Sequence, residues 1–229
     1  MIMYPSLRNT IQDIQITING TETIIPSDFY MRLPYDFNQP VIIGNKITNC
    51  AGMFYDCESF NYPITIPNNV IDCYHMFFAC RNFNQSIAIP NNVINCRNMF
   101  EHCKNFNQPI TIPDNTIYCS GMFFACGKFN QPIIIPNKVT NCSEMFYACY
   151  SFSNNIYFKT KSTSLDVTYL LGDCDNSKKK NIFFNSVLNS KFNVTSYSSI
   201  VASPVTWTPM TKGFYNAAFN VYCYYDYVP

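Results

Sequence analysis

One unit of 23 residues recurs through the middle of this 229-residue chain without a single slip of phase. One phenylalanine and two cysteines mark the unit, and each returns at the same spacing. The three columns are Phe37, Phe60, Phe83, Phe106, Phe129 and Phe152; Cys50, Cys73, Cys96, Cys119 and Cys142; and Cys57, Cys80, Cys103, Cys126 and Cys149. A fixed period of this length indicates a solenoid, in which each unit buries its apolar face only against its neighbours. We expect the phenylalanine column to form a stacked spine in the core.

Each unit contains a short alternating pattern that predicts a strand. In Ile64-Thr65-Ile66 the outer residues are aliphatic and β-branched, and the middle residue differs from unit to unit. This period of two places the outer residues in the core. Pro63 and Pro67 keep the strand short. We expect these strands to pair in parallel at a spacing of roughly 4.8 Å.

A second pattern predicts a short helix. Cys73, Met76, Phe77 and Cys80 stand at i, i+3, i+4 and i+7, which is one face of a helix. Asp72 precedes them as an N-cap residue. Equivalent caps in other units are Asn49, Asn95 and Asn141, whereas Tyr118 breaks the column.

These residues resemble the BspA-type leucine-rich repeats. The resemblance rests on Ile89-Pro90-Asn91-Asn92-Val93, on Phe100 and Cys103, on Phe106 in a leucine position, and on Ile110-Thr111-Ile112-Pro113. Met99-Phe100 and Phe106-Asn107-Gln108 are similar to a related set of bacterial and phage surface repeats. The likeness covers about 36–158 and departs from the family in its first cysteine column. It implies an α/β repeat solenoid, with a short parallel strand plus a short helix in every repeat.

Loss of the period defines three predicted segments. Residues 1–36 are an N-terminal cap or attachment segment. Residues 37–158 are the leucine-rich-repeat solenoid, with five full repeats and a partial sixth. Residues 159–229 are a small β-rich C-terminal cap or interaction unit.

The cysteines allow four interpretations. Seven residues along a helix separate two Cα atoms by roughly 10 Å, too far for a disulfide within one repeat. No C-x-x-C occurs, which disfavours zinc. Disulfides between neighbouring repeats are geometrically possible, but a cytosol would keep them reduced. The favoured interpretation is that these thiols are small buried hydrophobes.

Two sets of surface positions are candidates for binding. The residue after the helix phenylalanine is mostly aromatic, and the middle strand residue is small and uncharged. The candidate residues are Tyr55, Phe78, Glu101, Phe124 and Tyr147, together with Thr65 and Thr111. The aromatic set predicts packing against an adjoining loop or chain, or else a strip for sugar rings or a protein partner.

The asparagine after each column phenylalanine predicts an internal ladder that bonds to loop backbone. The residues are Asn38, Asn61, Asn84, Asn107 and Asn130.

Composition excludes several classes of function. The net charge is +1 and only 13% of residues are charged, so we expect no nucleic-acid partner. No apolar run reaches the length of a membrane span. His75 and His102 are expected to share neither a column nor a partner, and no catalytic, metal-binding or cofactor-binding set is recognised. We therefore expect no enzyme and no cofactor; a site within 159–229 is the least favoured alternative.

We expect a non-catalytic binding or structural protein. The leading hypothesis is a phage virion component, a tail or head appendage made in the host cytoplasm that mediates assembly or host-surface adhesion. Its partners would be other virion or surface proteins, or a host protein or glycan, and it could oligomerise. The alternative is a bacterial or protist cell-surface adhesin of the BspA-like type.

Overall fold

The computed structural model describes residues 14–18, 21–25, 33–159, 165–184, 208–210, 213–216 and 221–224. In these ranges the regular elements are β1 (Ile14–Ile18), β2 (Thr21–Ile25), β3 (Val41–Ile43), β4 (Ile133–Ile135), β5 (Asn155–Phe158), β6 (Lys180–Phe184), β7 (Thr208–Met210), β8 (Gly213–Asn216) and β9 (Val221–Tyr224). The same ranges contain no helix that could cross a membrane.

The predicted α/β fold is wrong, because the described part of every repeat lacks a helix. Residues 73–80 form consecutive turns instead. The N–H of Met76 donates to the carbonyl of Cys73 at 3.1 Å, and that of Cys80 to the carbonyl of Phe77 at 3.0 Å. His75 has a φ of 53° and Ala79 one of 57°. These left-handed residues interrupt any right-handed helix.

Hydrogen bonds between repeats replace those of the expected helix. The N–H groups of Cys73 and Phe77 donate to the carbonyls of Asn95 and Met99 in the next repeat, both at 2.9 Å. The turns recur with two left-handed residues, four apart, in each repeat. The pairs are Gly52 and Asp56, His75 and Ala79, Asn98 and His102, Gly121 and Ala125, Glu144 and Ala148, and Tyr169 and Asp173. A neighbouring repeat therefore supplies the acceptors that a helix would have found within itself.

The strand pattern forms β-ladders only at the ends of the array. β3 and β4 show the predicted alternation, with the outer residues buried and the middle residue exposed. Isolated parallel bridges run instead through the position before the first cysteine. They join Asn49, Asp72, Asn95, Tyr118, Asn141 and Asp166 in order. Asp72 does cap its segment, since its Oδ1 accepts a hydrogen bond from the N–H of Tyr74 at 2.8 Å, but it caps a turn.

The hydrogen-bonding pattern of the repeats continues into residues 165–184. Asn141 bridges to Asp166, and the thiol of Cys174 donates to the carbonyl of Phe146 at 3.0 Å, as Cys149 does to Phe123 at 2.9 Å. Strands β4, β5, β6 and β9 then pair in parallel, and β8 and β7 extend the sheet antiparallel. A second sheet has the order β2-β1-β3 and is antiparallel. The three-segment division stays a prediction.

Two stacked phenylalanine columns fill the core. The rings of Phe77 and Phe100 lie 5.5 Å apart and 1° from parallel. Phe83, in the column predicted to be a core spine, lies 4.4 Å from Phe77. All three side chains are fully buried. The prediction of a phenylalanine spine is confirmed, and the turn phenylalanines add a second one beside it.

Candidate binding surfaces

Five of the candidate residues follow one another along the turns as two stacked ring pairs with a glutamate between them. We call them the aromatic column: Tyr55, Phe78, Glu101, Phe124 and Tyr147. Tyr55 and Phe78 stack at 4.3 Å and 11°, and Phe124 and Tyr147 at 4.9 Å and 5°. All are half-buried. Because these rings cover one another, each stacked pair turns mainly ring edges towards solvent. A sugar that stacks on an aromatic ring needs a ring face.

Glu101 interrupts the aromatic column and gathers polar partners. Its Oε2 lies 3.5 Å from His75 Nε2 and accepts a hydrogen bond from Asn98 Nδ2 at 2.6 Å. Its Oε1 lies 3.7 Å from His102 Nε2. The prediction that the two histidines share no partner is wrong. They occupy the two left-handed positions of neighbouring repeats, and only knowledge of the turns would have brought both to Glu101.

His102 also fills the gap that Glu101 leaves between the rings. Its imidazole makes edge contacts with Phe78 at 5.6 Å and with Phe124 at 5.8 Å. The column is therefore packed through its polar interruption as well. Among the described residues, no group of three or more His, Cys, Asp or Glu side chains is placed to hold a metal ion.

The thiols are free and buried at all twelve positions. In the second column each thiol donates to a carbonyl of the preceding repeat; Cys80 reaches Phe54 O and Cys103 reaches Phe77 O, both at 2.9 Å. Burial raises the pKa of Cys50 and of Cys96 to about 12. Since the thiolate is the reactive form, these thiols act as packing groups. The interpretation as small buried hydrophobes is confirmed.

The asparagine ladder lies along the strand side of the repeats. The N–H groups of Asn84 and Asn107 each donate to the Oδ1 of the ladder residue one repeat earlier, Asn61 or Asn84, at 2.9 Å. Gln85 Nε2 and Gln108 Nε2 donate to the same two oxygens at 3.2 Å. The predicted ladder is confirmed, although most of it is exposed rather than internal.

Uncharged side chains surround this ladder. Thr65, Ala88 and Thr111 are exposed in the middle-strand column, and Pro63 and Pro109 are exposed beside them. Residues 61–66, 84–89, 107–112 and 130–135 contain no charged side chain. We call the exposed side chains of these four segments the amide face. The candidate residues therefore fall into two separate columns, and their role in binding stays a prediction.

A comparison with known families finds one family that matches the repeat array. The family model described as "Mycoplasma protein of unknown function, DUF285" matches residues 43–116 and 89–185, which together span more than half of the chain. The chain belongs to the DUF285 family. The two DUF285 matches begin two repeats apart, which agrees with a family built from repeats and with the coarse resemblance inferred from the sequence. No curated protein matches the chain, and no solved structure does.

Proposed function

We propose that this chain is a non-catalytic binding and assembly protein, carried on a virion as a tail or head appendage. The observation that carries the binding role is the amide face, where uncharged side chains repeat at a fixed spacing on a stack of hydrogen-bonded repeats. Such a surface offers the same contacts several times to an extended partner.

The reactive side chains of the described repeats support a non-catalytic role. The thiols are buried, and burial raises the pKa of Cys50 and Cys57 to about 12. The carboxylate of Glu101 is engaged by Asn98 and lies beside His75 and His102, so these groups satisfy one another within the column. A thiol that burial keeps protonated is a poor nucleophile.

The alternative proposal is a cell-surface adhesin of the BspA-like type. The family description favours it, because it names a genus of cellular bacteria. Both proposals use the same surface and differ in what carries the protein.

Fractionation tests whether the chain is carried on virus particles or on cell surfaces. Purified particles and intact producing cells are probed with an antibody to the chain, by immunoblot and by flow cytometry. We expect the chain to co-purify with particles at a fixed ratio to a structural virion protein. Labelling of intact cells in cultures free of particles would favour the adhesin. Absence from both particles and cell surfaces would overturn the proposal.

Native mass in solution tests the assembly role. Light scattering is recorded with and without a thiol reductant. An assembly role predicts an oligomer whose mass does not change with reductant, because the thiols are buried. A monomer at every concentration would limit the chain to binding.

A further inference from the structure

Charge on the repeats lies outside the amide face, on the turn side and in the loops that carry Lys46, Asp114 and Lys138. The turn side carries ion pairs such as Arg81 with Glu58 at 3.2 Å. The four strand-side segments of the amide face carry no charge at all. A partner that docks there has no ionic contact to make, and any charge it brought would lose its hydration without compensation.

The hydrogen bonds of the ladder also fix which atoms of these amides remain as donors and which remain as acceptors. The Oδ1 atoms of Asn61 and Asn84 each accept a main-chain N–H and a glutamine amide. Their Nδ2 groups are thereby held in fixed positions as donors, and the Oε1 of Gln85 as an acceptor. Rows of fixed donors beside fixed acceptors suit hydroxyl groups, because a hydroxyl both donates and accepts.

Tyr62 adds an aromatic ring to the same surface. It occupies the position of Gln85 one repeat earlier, and 38% of the residue is exposed. Within the described ranges no other ring stacks on it, unlike the rings of the aromatic column. Its ring face can therefore receive a flat apolar surface such as the C–H face of a sugar ring.

Amides also line the middle of the other border of the face. Asn68, Asn91 and Asn92 line a shallow depression together with Ile89. Asn92 Nδ2 donates to the carbonyl of Asn68 at 2.8 Å, which fixes this amide as well. The face itself is thus uncharged and has ordered amides on both sides, while Asp114 and Lys138 add exposed charges to this second border.

We propose that the amide face binds a neutral polysaccharide, with Tyr62 stacking on a sugar ring and the Asn61, Asn84 and Gln85 amides bonding its hydroxyls. One repeat advances the stack by roughly 4.8 Å, which is close to the length of one sugar residue in an extended glycan. A neutral polymer meets the same amide set once per repeat. This inference rests on the proposed binding function and names the class of its ligand.

Retention of the full chain on insoluble cellulose, chitin and mannan tests the ligand class, with heparin-agarose as the charged comparison. We expect retention on at least one neutral polysaccharide that changes less than about two-fold between low and high salt, since no charge pair is involved. Failure to bind all three neutral polymers would overturn the inference, as would binding to heparin alone.

Variants test the site. Tyr62→Ala is expected to weaken retention by about ten-fold, which corresponds to about 1.4 kcal/mol of binding free energy. Thr111→Asp, which places a charge on the face, is expected to do the same. Tyr150→Ala is the matched control, because Tyr150 is 54% exposed on the turn side. If the Tyr62→Ala and Tyr150→Ala variants were retained equally on the neutral polysaccharide, the glycan would lie elsewhere and the proposal would be wrong.

A cell-binding assay separates this inference from the proposed function. If the chain binds host cells but none of the neutral polysaccharides, and protease treatment of the cells abolishes that binding, the partner is a protein. The binding function would then stand and the glycan inference would fall. If the chain binds neither cells, particles nor polysaccharides, both fall.

Discussion

At the scale of single residues, Gly172 determines how the aromatic column ends. It stands in the column after Tyr147, and a Cβ there would lie 2.5 Å from Cδ2 and 2.6 Å from Cε2 of that ring. Carbon atoms do not approach so closely without movement. The missing side chain therefore leaves room for the Tyr147 ring.

Replacing this glycine tests that fit. Gly172→Ala is expected to lower the free energy of unfolding by about 1–3 kcal/mol, because the Tyr147 ring must move from its stack. Urea denaturation measures the loss, and near-ultraviolet circular dichroism reports the ring. Gly127→Ala is the control, since its Cβ would lie 3.9 Å from the Tyr150 ring. Equal stability of the two variants would show that the close approach of residue 172 to the Tyr147 ring does not affect folding.

At the scale of the element, the turn segment shows how far sequence reasoning reaches. The spacing of Cys73, Met76, Phe77 and Cys80 correctly predicts four buried side chains. It fails on the backbone, because two successive turns with left-handed residues bury the same positions as a helix does. The turns form instead of a helix because their N–H groups find carbonyl acceptors in the next repeat, 22 residues further along the chain. The contact between Glu101 and the two histidines was missed for the same reason.

The asparagine ladder, in contrast, could be predicted, because an amide repeated at one spacing bonds to its own copy. Asn84→Ala removes the acceptor for Asn107 N and Gln108 Nε2 and is expected to cost about 0.5–1.5 kcal/mol. Asn84→Asp keeps an acceptor oxygen and should stay close to wild type. Thermal denaturation of both variants measures the difference. An aspartate variant as unstable as the alanine variant would contradict a role for the oxygen.

The cysteine columns predict weaker folding in alkali. Burial raises the pKa of Cys96 from 9.0 to about 12, so between these values the unfolded chain loses a proton that the folded chain keeps. Stability is therefore full below about pH 9 and falls as pH rises towards 12. Each such thiol contributes a slope of about 1.4 kcal/mol per pH unit.

Urea denaturation at several pH values tests this dependence. The free energy of unfolding should be flat from pH 7 to 8.5 and fall steeply above pH 9. Cys96→Ala should reduce the slope by the share of one thiol, about 1.4 kcal/mol per pH unit. A free energy of unfolding that did not change up to pH 11 would mean that the thiols are not protected by the fold.

At the scale of the whole molecule, stability is a sum over neighbouring repeats. The turn of residues 73–80 bonds through its N–H groups to the repeat after it and accepts bonds at its carbonyls from the repeat before it. The period of the sequence predicts that each repeat packs on its neighbours, but it does not predict these hydrogen bonds. It could not predict the end of the array, where the spacing of equivalent residues changes from 23 to 25 between Asn141 and Asp166.

Removing one whole repeat tests whether stability is a sum over neighbouring repeats. Deletion of residues 84–106 joins Phe83 to Asn107 in phase, and we expect a folded chain with a smaller denaturant dependence of unfolding. Deletion of residues 84–103 removes a similar length out of phase and should leave the chain unfolded or aggregated. Circular dichroism and the denaturant slope compare them. Equal folding of both would show that the period does not set the packing.

The direction of the bonds between repeats also determines how this molecule would respond to force. The bond from Cys73 N to Asn95 O, and its equivalents, run along the stack. A pull on the two ends loads them in tension, one layer at a time, rather than in shear. Each layer that opens releases 23 residues, or roughly 80 Å of slack, while the layers behind it stay folded. Under tension we therefore expect the repeats to unfold one at a time and to lengthen the molecule in steps. Such stepwise extension suits a tether between two moving bodies.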